Sequence, residues 1–206
     1  AVDPAQARDV ARWRKAERQR LRGERDAMSV ADRASMGERI GAHLLRFLAD
    51  RFGSLEGRVF SGYWPIKGEP DLRPVLASLH RAGVSVALPL VEVKAAPLVF
   101  RRWTPETKMV RGDWNIPVPP PEAEAVVPEI ALAPVMGWTE GAYRLGYGGG
   151  YFDRTLAALS PRPFTIGIGL QSAHLATIFP QPHDIPLDLI LTEVGVQAGD
   201  RVAGSE

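Results

Sequence analysis

The chain has 206 residues, of which 45% are apolar, and this length and composition fit one domain with a sizeable core. A formal net charge of +1 gives no overall attraction to nucleic acid or membranes, and no apolar run is long enough to span a bilayer. The absence of cysteine excludes disulfides, thiolate catalysis and cysteine-rich zinc sites, so a reducing cytoplasm is the expected location.

The first predicted element is a basic helix at about residues 8–27. Four arginines recur there at helical spacing and therefore share one face: Arg14, Arg18, Arg22 and Arg25. This face is either a solvated surface or a source of phosphate ligands. A third interpretation, contact with nucleic acid, is disfavoured by the small net charge. A second helix, running to about Arg51, is predicted after a capping sequence at Ser29 and carries one apolar stripe.

A strand-helix-strand unit follows the two helices. Strands are predicted at residues 59–64 and 84–91, with a helix at 71–81 between them, and such a unit predicts a parallel sheet. Ligands of parallel α/β sheets bind beyond the carboxyl ends of the strands, where Trp64 and Glu69 fall. Each residue also has a structural interpretation, Trp64 as half-buried packing and Glu69 as the charge that opens the next helix.

The second half of the chain predicts further strands. Residues 97–103 are a candidate strand. Residues 104–128 form a long, polar, proline-rich connection, and connections of this kind are usually functional or mobile. Three later strands are predicted at residues 129–135, 164–170 and 188–194. A short helix is predicted at 172–178, and residues 196–206 are predicted to be a tail. With no repeat and no internal boundary, residues 1–206 are expected to form a single α/β domain.

A glycine-rich run stands out at residues 144–154, Arg-Leu-Gly-Tyr-Gly-Gly-Gly-Tyr-Phe-Asp-Arg. Four glycines in five positions allow backbone N–H groups to converge on an anion, although a tight turn is the simpler alternative. Arg144 and Arg154 favour an anion, because both side chains can fork onto phosphate oxygens. The run matches neither a Walker A loop nor a dinucleotide fingerprint. Asp153 comes at the start of a predicted helix and either caps it or holds a metal ion beside phosphates.

From about Arg14 to Glu193 the chain resembles the 5-formyltetrahydrofolate cyclo-ligases. The glycine run is the most specific part of the resemblance. A Trp-Asn-Ile-Pro segment from Trp114, a Gly-Glu-Pro-Asp segment around Glu69 and the basic helix before Met28 occur in the expected order.

The resemblance implies ATP-dependent closure of 5-formyltetrahydrofolate to 5,10-methenyltetrahydrofolate with Mg²⁺, releasing ADP and phosphate. The formyl oxygen attacks the γ-phosphate, and N10 then attacks the phosphorylated imidate. Phosphoryl transfer of this kind asks a protein mainly for positioning and charge neutralisation. The implied fold is a three-layer α/β/α sandwich around a mostly parallel sheet. A monomer acting on a small molecule, without nucleic-acid or membrane partners, is expected, and a folate- or nucleotide-binding paralogue with little or no turnover is the alternative.

The resemblance also implies roles for individual residues. The implied ATP-binding residues are Arg14, Lys15, Arg18, Arg144, Leu145, Gly146, Tyr147, Gly148, Gly149, Gly150, Tyr151 and Phe152. The implied folate-binding residues are Trp64, Glu69, Trp114, Tyr147, Gly148, Gly149, Gly150 and Tyr151. Arg144 and Tyr151 are the implied catalytic residues, and Asp153 and Asp184 the implied magnesium ligands. A carboxylate at Glu69 suits a pterin, which offers a row of N–H donors, and the rings of Trp114 and Tyr151 could stack on it.

Overall fold

Four α-helices form within residues 3–199, which are the residues that the computed structural model describes. They are α1 (Pro4–Asp26), α2 (Val30–Phe52), α3 (Arg73–Arg81) and α4 (Tyr151–Ala158). The basic helix starts earlier than predicted, because the Asp3 carboxylate caps it and Pro4 occupies its first position. The predicted cap of α2 is confirmed, since the Ser29 hydroxyl accepts a hydrogen bond from the Asp32 N–H. Nowhere in this part of the chain is a helix both long and apolar enough to cross a bilayer.

Twelve strands complete the secondary structure of residues 3–199. They are β1 (Val59–Ser61), β2 (Ser85–Leu90), β3 (Val99–Arg102), β4 (Val110–Arg111), β5 (Pro117–Val118), β6 (Ala125–Val126), β7 (Ile130–Pro134), β8 (Gly137–Trp138), β9 (Arg144–Leu145), β10 (Phe164–Ile168), β11 (Leu189–Thr192) and β12 (Gly195–Gly199). Eight of them form one sheet in the order β12-β11-β10-β7-β1-β2-β3-β6, while β4 with β5 and β8 with β9 form separate antiparallel pairs.

The centre of the large sheet is parallel. Strands β2, β1, β7, β10 and β11 pair in parallel in that spatial order, and β3, β6 and β12 join antiparallel at the two edges. In chain order the five parallel strands are therefore arranged 2-1-3-4-5, one of the common orders of doubly wound sheets. The winding direction changes between β1 and β7, and ligands of such sheets bind in the crevice at that point.

The helices cover both faces of the sheet. Crossovers between parallel strands are right-handed, and α3 leads from β1 to β2 while α4 leads the opposite way, from β7 to β10, so α3 and α4 lie on opposite faces. Helix α2 packs on α3, where a Cβ at Gly41 would lie 3.1 Å from Val75. The predicted α/β fold with a mostly parallel sheet is confirmed. Fully buried side chains fill the core between these layers, among them Ile40, Leu44, Phe60, Leu76, Ile130, Leu132, Ile166 and Ile190.

Two predictions near the carboxyl end are wrong. Residues 172–178 form only a 3₁₀ turn, Gln171–Ala173, because the following backbone pairs with β8, with Leu175 N–H donating to the Trp138 carbonyl at 2.8 Å. Residues 196–199 are not a tail but belong to β12, which folds back on β11 through a tight turn. The remainder of the predicted tail, residues 200–206, lies outside the described residues.

Candidate functional site

A cleft of about 700 Å³ opens at the carboxyl ends of the central strands, where the change of winding direction places a ligand site. Tyr63 and Trp64 line it after β1, Leu90 at the end of β2, and Pro134 at the end of β7. The predicted strand 59–64 ends at Ser61, and the residues after it pass into this cleft. With the exception of Lys15, which is exposed and does not line the cleft, every residue predicted for the site contributes to its lining.

The glycine run connects β9 to α4 and forms one wall of the cleft. Gly148 and Gly150 have φ of +96° and +68°, which lie in the left-handed region that side chains disfavour. Gly150 is the residue before the first turn of α4, and no side chain caps that helix. The N–H groups of the first turn of α4 therefore lack a capping acceptor, which is the arrangement that favours an anion.

Arginines from α1 reach this wall from the opposite end of the chain. Arg18 Nε donates to the Gly146 carbonyl at 2.7 Å, and a Cβ at Gly148 would lie 3.3 Å from the guanidinium carbon of Arg18. Burial and the neighbouring Arg14 lower the pKa of Arg18 from its ordinary value. Arg18 makes no ion pair among the described residues, so its charge favours a negatively charged ligand in the cleft.

Arg144 is a cation with 11% of its side chain exposed, and two of its nitrogen atoms make no hydrogen bond. Its Nη2 lies 3.7 Å from Asp153 Oδ1, beyond hydrogen-bond distance, and its guanidinium lies over the Phe152 ring at 5.2 Å. Both Nε and Nη2 are buried without a hydrogen-bond partner. Burial lowers the pKa of Arg144, and the charges of Asp153 and Asp184 oppose that effect. Unpaired donors on a buried charge are costly, so an anion in the cleft would relieve this arrangement.

The two carboxylates predicted to bind magnesium differ in their surroundings. Asp153 Oδ1 accepts one hydrogen bond, from Ile185 N–H at 3.1 Å, and Asp153 lines the cleft beside the glycine run. Both oxygens of Asp184 are engaged by Arg14, at 2.5 and 3.2 Å, and Gln181 N–H adds a third bond at 2.6 Å. Burial alone would raise the pKa of Asp184, but these bonds outweigh it and lower the pKa.

The residues fit a magnesium ion at Asp153 better than at Asp184. Within residues 3–199, no group of three or more His, Cys, Asp or Glu side chains could hold a metal. Magnesium is commonly bound by one or two carboxylates, with phosphate oxygens and water completing the octahedron, so a single carboxylate such as Asp153 would suffice if phosphates bound beside it. Asp184 in this arrangement is the anchor of Arg14, whose Nε also donates to the Ile178 carbonyl at 3.0 Å.

Glu69 is a buried carboxylate that also lines the cleft, with 8% of its surface exposed. Its Oε1 accepts from Ile66 N–H at 2.9 Å and its Oε2 from the Tyr147 hydroxyl at 2.8 Å. Burial raises the pKa of Glu69, and the hydrogen bonds from Ile66 and Tyr147 oppose the rise. The alternative that Glu69 opens the next helix is wrong, because α3 begins at Arg73. A buried carboxylate facing a cleft suits a ligand with neutral N–H donors.

Aromatic side chains border the same space. Trp114, on the turn between β4 and β5, is 69% exposed and has φ of +56°, and its ring meets that of Tyr151 edge to face at 5.9 Å. Trp64 is half-buried, with the guanidinium of Arg73 at 5.1 Å from its ring centre. Holding a large exposed ring in a strained backbone conformation is characteristic of functional segments.

Two of the arginines around the cleft have no individual role predicted from the sequence, beyond the shared face of the basic helix. Arg22 lines the cleft, and Arg25 is buried behind the glycine run, where its Nη2 donates to the Val135 carbonyl at 2.6 Å. The helical spacing with Arg14 and Arg18 was the available signal. Spacing shows which face a residue occupies, but not which parts of that face are covered by distant segments.

Comparisons with known proteins identify the family of the chain. Residues 10–193 match the model of the 5-formyltetrahydrofolate cyclo-ligase family. The chain is 30% identical over 146 residues to the 5-formyltetrahydrofolate cyclo-ligase of Mycolicibacterium smegmatis, covering 67% of this chain and 75% of that protein. It is 25% identical over 184 residues to the protein of the same name from Haemophilus influenzae, covering 84% and 96%.

A solved structure of similar fold is the 5,10-methenyltetrahydrofolate synthetase of Aquifex aeolicus, with a TM-score of 0.74 and 25% identity over 94% of this chain and 96% of that one. The corresponding synthetase of Mycoplasma pneumoniae has a TM-score of 0.71 at 23% identity, covering 87% and 98%. The family model spans nearly the whole described part of the chain. The chain belongs to the 5-formyltetrahydrofolate cyclo-ligase family.

Proposed function

We propose that this chain uses the described cleft to convert 5-formyltetrahydrofolate and ATP into 5,10-methenyltetrahydrofolate, ADP and phosphate. Members of the family are ATP-dependent ligases of one-carbon metabolism, and this chain is a 5-formyltetrahydrofolate cyclo-ligase. The observation that carries the assignment of the site is that one cleft presents both a cation beside the glycine run and a buried carboxylate. Arg18 lies against Gly148, and Glu69, which also lines the cleft, accepts a hydrogen bond from the Tyr147 hydroxyl at 2.8 Å.

The triphosphate would occupy the wall that holds the glycine run. Backbone N–H groups of the run and of the first turn of α4 would bind phosphate oxygens, with Arg18 beside them. Arg144 would supply the hydrogen bonds that its buried Nε and Nη2 do not make within the chain. Asp153 would hold Mg²⁺, which supplies further charge neutralisation at the phosphates.

The pterin would bind against Glu69. Its ring N–H and amino groups present a row of donors, and an ionised carboxylate is an acceptor for such a row. Trp64, Trp114 and Tyr151 line the space beside Glu69 and offer flat apolar surfaces to the pterin rings. This places the formyl group between the pterin site and the phosphate site.

The reaction then needs no nucleophilic side chain. The formyl oxygen bonds to the γ-phosphorus as the bond from phosphorus to the ADP oxygen breaks, and Arg144 and Arg18 stabilise the charge on the phosphoryl oxygens. N10 next bonds to the activated formyl carbon, phosphate departs with the former formyl oxygen, and N10 loses its proton to solvent. Tyr151, at the junction of glycine run and α4, would border the reacting groups.

The test is an assay of the purified chain with ATP, Mg²⁺ and 5-formyltetrahydrofolate. The methenyl product absorbs in the near ultraviolet, and we expect its absorbance to rise only when ATP is present, with one ADP formed for each product. Folded protein that binds 5-formyltetrahydrofolate in a calorimeter but forms no ADP would instead be the binding paralogue. A cytoplasmic monomer is part of the proposal, and sedimentation of the purified chain tests its oligomeric state.

A further inference from the structure

Arg25 is a buried arginine whose position is not explained by packing. It lies in the last turn of α1, only 4% of its surface is exposed, and its Nε is buried without a hydrogen-bond partner. An apolar side chain of similar volume usually costs less free energy in such a place than a charged one. The retained charge therefore calls for a role beyond filling space.

The contacts of Arg25 lead from the sheet to the folate side of the cleft. Its Nη2 donates to the carbonyl of Val135, just after β7, and its Nη1 donates to the Tyr147 hydroxyl at 3.4 Å. The same hydroxyl donates to Glu69 Oε2 at 2.8 Å. Because a guanidinium can only donate, it occupies a lone pair of the Tyr147 oxygen and leaves the hydroxyl proton to point at Glu69.

The backbone of Arg25 is also fixed. Arg33 of α2 donates through Nη2 to the Arg25 carbonyl at 2.7 Å. The guanidinium of Arg33 also lies beside Gly68, where a Cβ would be 3.7 Å from its carbon. Arg33 thus lies between the end of α1 and the loop that carries Glu69, while Tyr147 connects Arg25 to Glu69 by hydrogen bonds.

We propose that Arg25 is a positioning residue for the folate pocket: it holds the Tyr147 hydroxyl toward Glu69, and so fixes the orientation of the carboxylate that receives the pterin donors. This rests on the proposed function for the identity of the ligand. Since Tyr147 belongs to the glycine run, the same contact ties the phosphate wall of the cleft to the pterin wall.

The groups that face Glu69 come from several elements. Arg25 comes from α1, Lys67 from the loop that carries Glu69, Tyr63 from the segment after β1, and Tyr147 from the glycine run. Burial raises the pKa of Glu69, whereas Ile66 N–H, Tyr147, Arg25 and Lys67 act to lower it. Removing Arg25 takes away a positive charge that lowers the pKa of Glu69, and it also weakens the hydrogen bond from Tyr147 that lowers the same pKa. The pKa of Glu69 should therefore rise further.

The experiment measures kcat/KM for 5-formyltetrahydrofolate across pH in the wild type and in Arg25→Met. We expect KM for the folate to rise about tenfold, the acid limb of the profile to move up by about one pH unit, and KM for ATP to stay within about twofold. Arg25→Lys, which keeps the positive charge but loses the planar guanidinium, should shift the acid limb less than Arg25→Met does. Arg12→Gln, on the exposed face of α1, is the matched control and should match the wild type.

The pathway through Tyr147 is tested in a Tyr147→Phe background. In this background, Arg25→Lys should change the KM for the folate much less than the same substitution does in the wild-type protein. The reason is that the hydroxyl that Arg25 positions is absent from Tyr147→Phe. Equal effects in both backgrounds, or an unmoved acid limb in a folded Arg25→Met variant, would overturn the proposal. If Arg25→Met does not fold, the comparison of Arg25→Lys with and without Tyr147→Phe decides.

Failure of the proposed function gives a different result. If the wild-type protein forms no product with ATP, the proposed function is overturned, but the role of Arg25 in binding can still be measured. Calorimetry of 5-formyltetrahydrofolate binding across pH then replaces kinetics, and the same acid shift in Arg25→Met would support the positioning role. Absence of binding by the wild type would overturn both proposals.

Discussion

Gly148→Ala tests whether Arg18 and the glycine run act together on the triphosphate. The added Cβ would lie 3.3 Å from both the carbon and one terminal nitrogen of the Arg18 guanidinium, closer than ordinary contact. Arg18 therefore has to move by a few tenths of an ångström, which strains its 2.7 Å bond to the Gly146 carbonyl. In addition, φ of +96° at residue 148 costs an alanine roughly 1–2 kcal/mol of stability.

The effect on ATP follows from the displaced arginine. A hydrogen bond to a charged group contributes roughly 1.5–3 kcal/mol, which corresponds to a factor of about 10 to 150 in affinity. Arg18 can shift without leaving the site, so we expect the KM for ATP to rise about tenfold, at the lower end of that range. The KM for 5-formyltetrahydrofolate should change by less than about twofold, because the three atoms nearest to the added Cβ all belong to Arg18 and none belongs to Glu69.

Gly53→Ala is the matched control, since it separates backbone strain from the displacement of Arg18. Gly53 has φ of +67°, and a Cβ there would meet no atom within 4 Å. Both variants should lose a similar amount of stability in urea unfolding, but only Gly148→Ala should alter the KM for ATP. An unchanged KM for ATP in Gly148→Ala, with the loss of stability present in both variants, would show that Arg18 does not contact the nucleotide.

Further substitutions separate the roles of the other groups. Glu69→Gln should lower kcat/KM for 5-formyltetrahydrofolate about 10- to 100-fold at unchanged KM for ATP, as steady-state kinetics would show. Asp153→Asn should raise the Mg²⁺ concentration needed for half-maximal rate at least about tenfold, and a wild-type Mg²⁺ titration would speak against a metal-binding role. Asp184→Asn should destabilise the fold by about 3 kcal/mol, because it removes the negative charge that is paired with the mostly buried Arg14 guanidinium. Since the pKa of Asp184 is lowered, its stabilisation is present above the ordinary value of 3.8 and is lost as pH falls through the lowered value, so acid unfolding of this variant should be less steep. Trp114→Ala should leave stability within about 0.5 kcal/mol, as the ring is 69% exposed, but should raise the KM for the folate.

The parts of the fold that could be predicted are those specified by nearby residues. The cap at Ser29, the strand-helix-strand unit from β1 to β2, and the strands β7 and β10 all follow from patterns within about ten residues. The 3₁₀ turn at Gln171–Ala173 and the pairing of β12 could not be predicted in the same way. Both depend on partners that the local pattern does not identify, Trp138 for the first and β11 for the second.

In the candidate site, too, features specified by nearby residues could be predicted and features that depend on distant partners could not. The glycine run was recognisable because four glycines and two arginines occur within eleven residues. The pairing of Arg14 with Asp184 was not, because 170 residues separate them and each also fits a simpler role, one as a phosphate ligand and the other as a metal ligand. Arg25 has the same helical spacing as Arg14 and Arg18, and only the folded chain shows that it is buried against Val135.

These long separations have a consequence for how the site forms. The bond of Arg18 to Gly146 spans 128 residues, that of Arg25 to Tyr147 spans 122, and that of Tyr147 to Glu69 spans 78. Contacts of this range become favourable only after the intervening sheet has assembled, since each must overcome the entropy of closing a long loop. Arg18, Arg25, Tyr147 and Glu69 are therefore set in place together by one folded core. In the proposed function, the groups that would bind the triphosphate and those that would bind the pterin are consequently pre-organised before either ligand arrives.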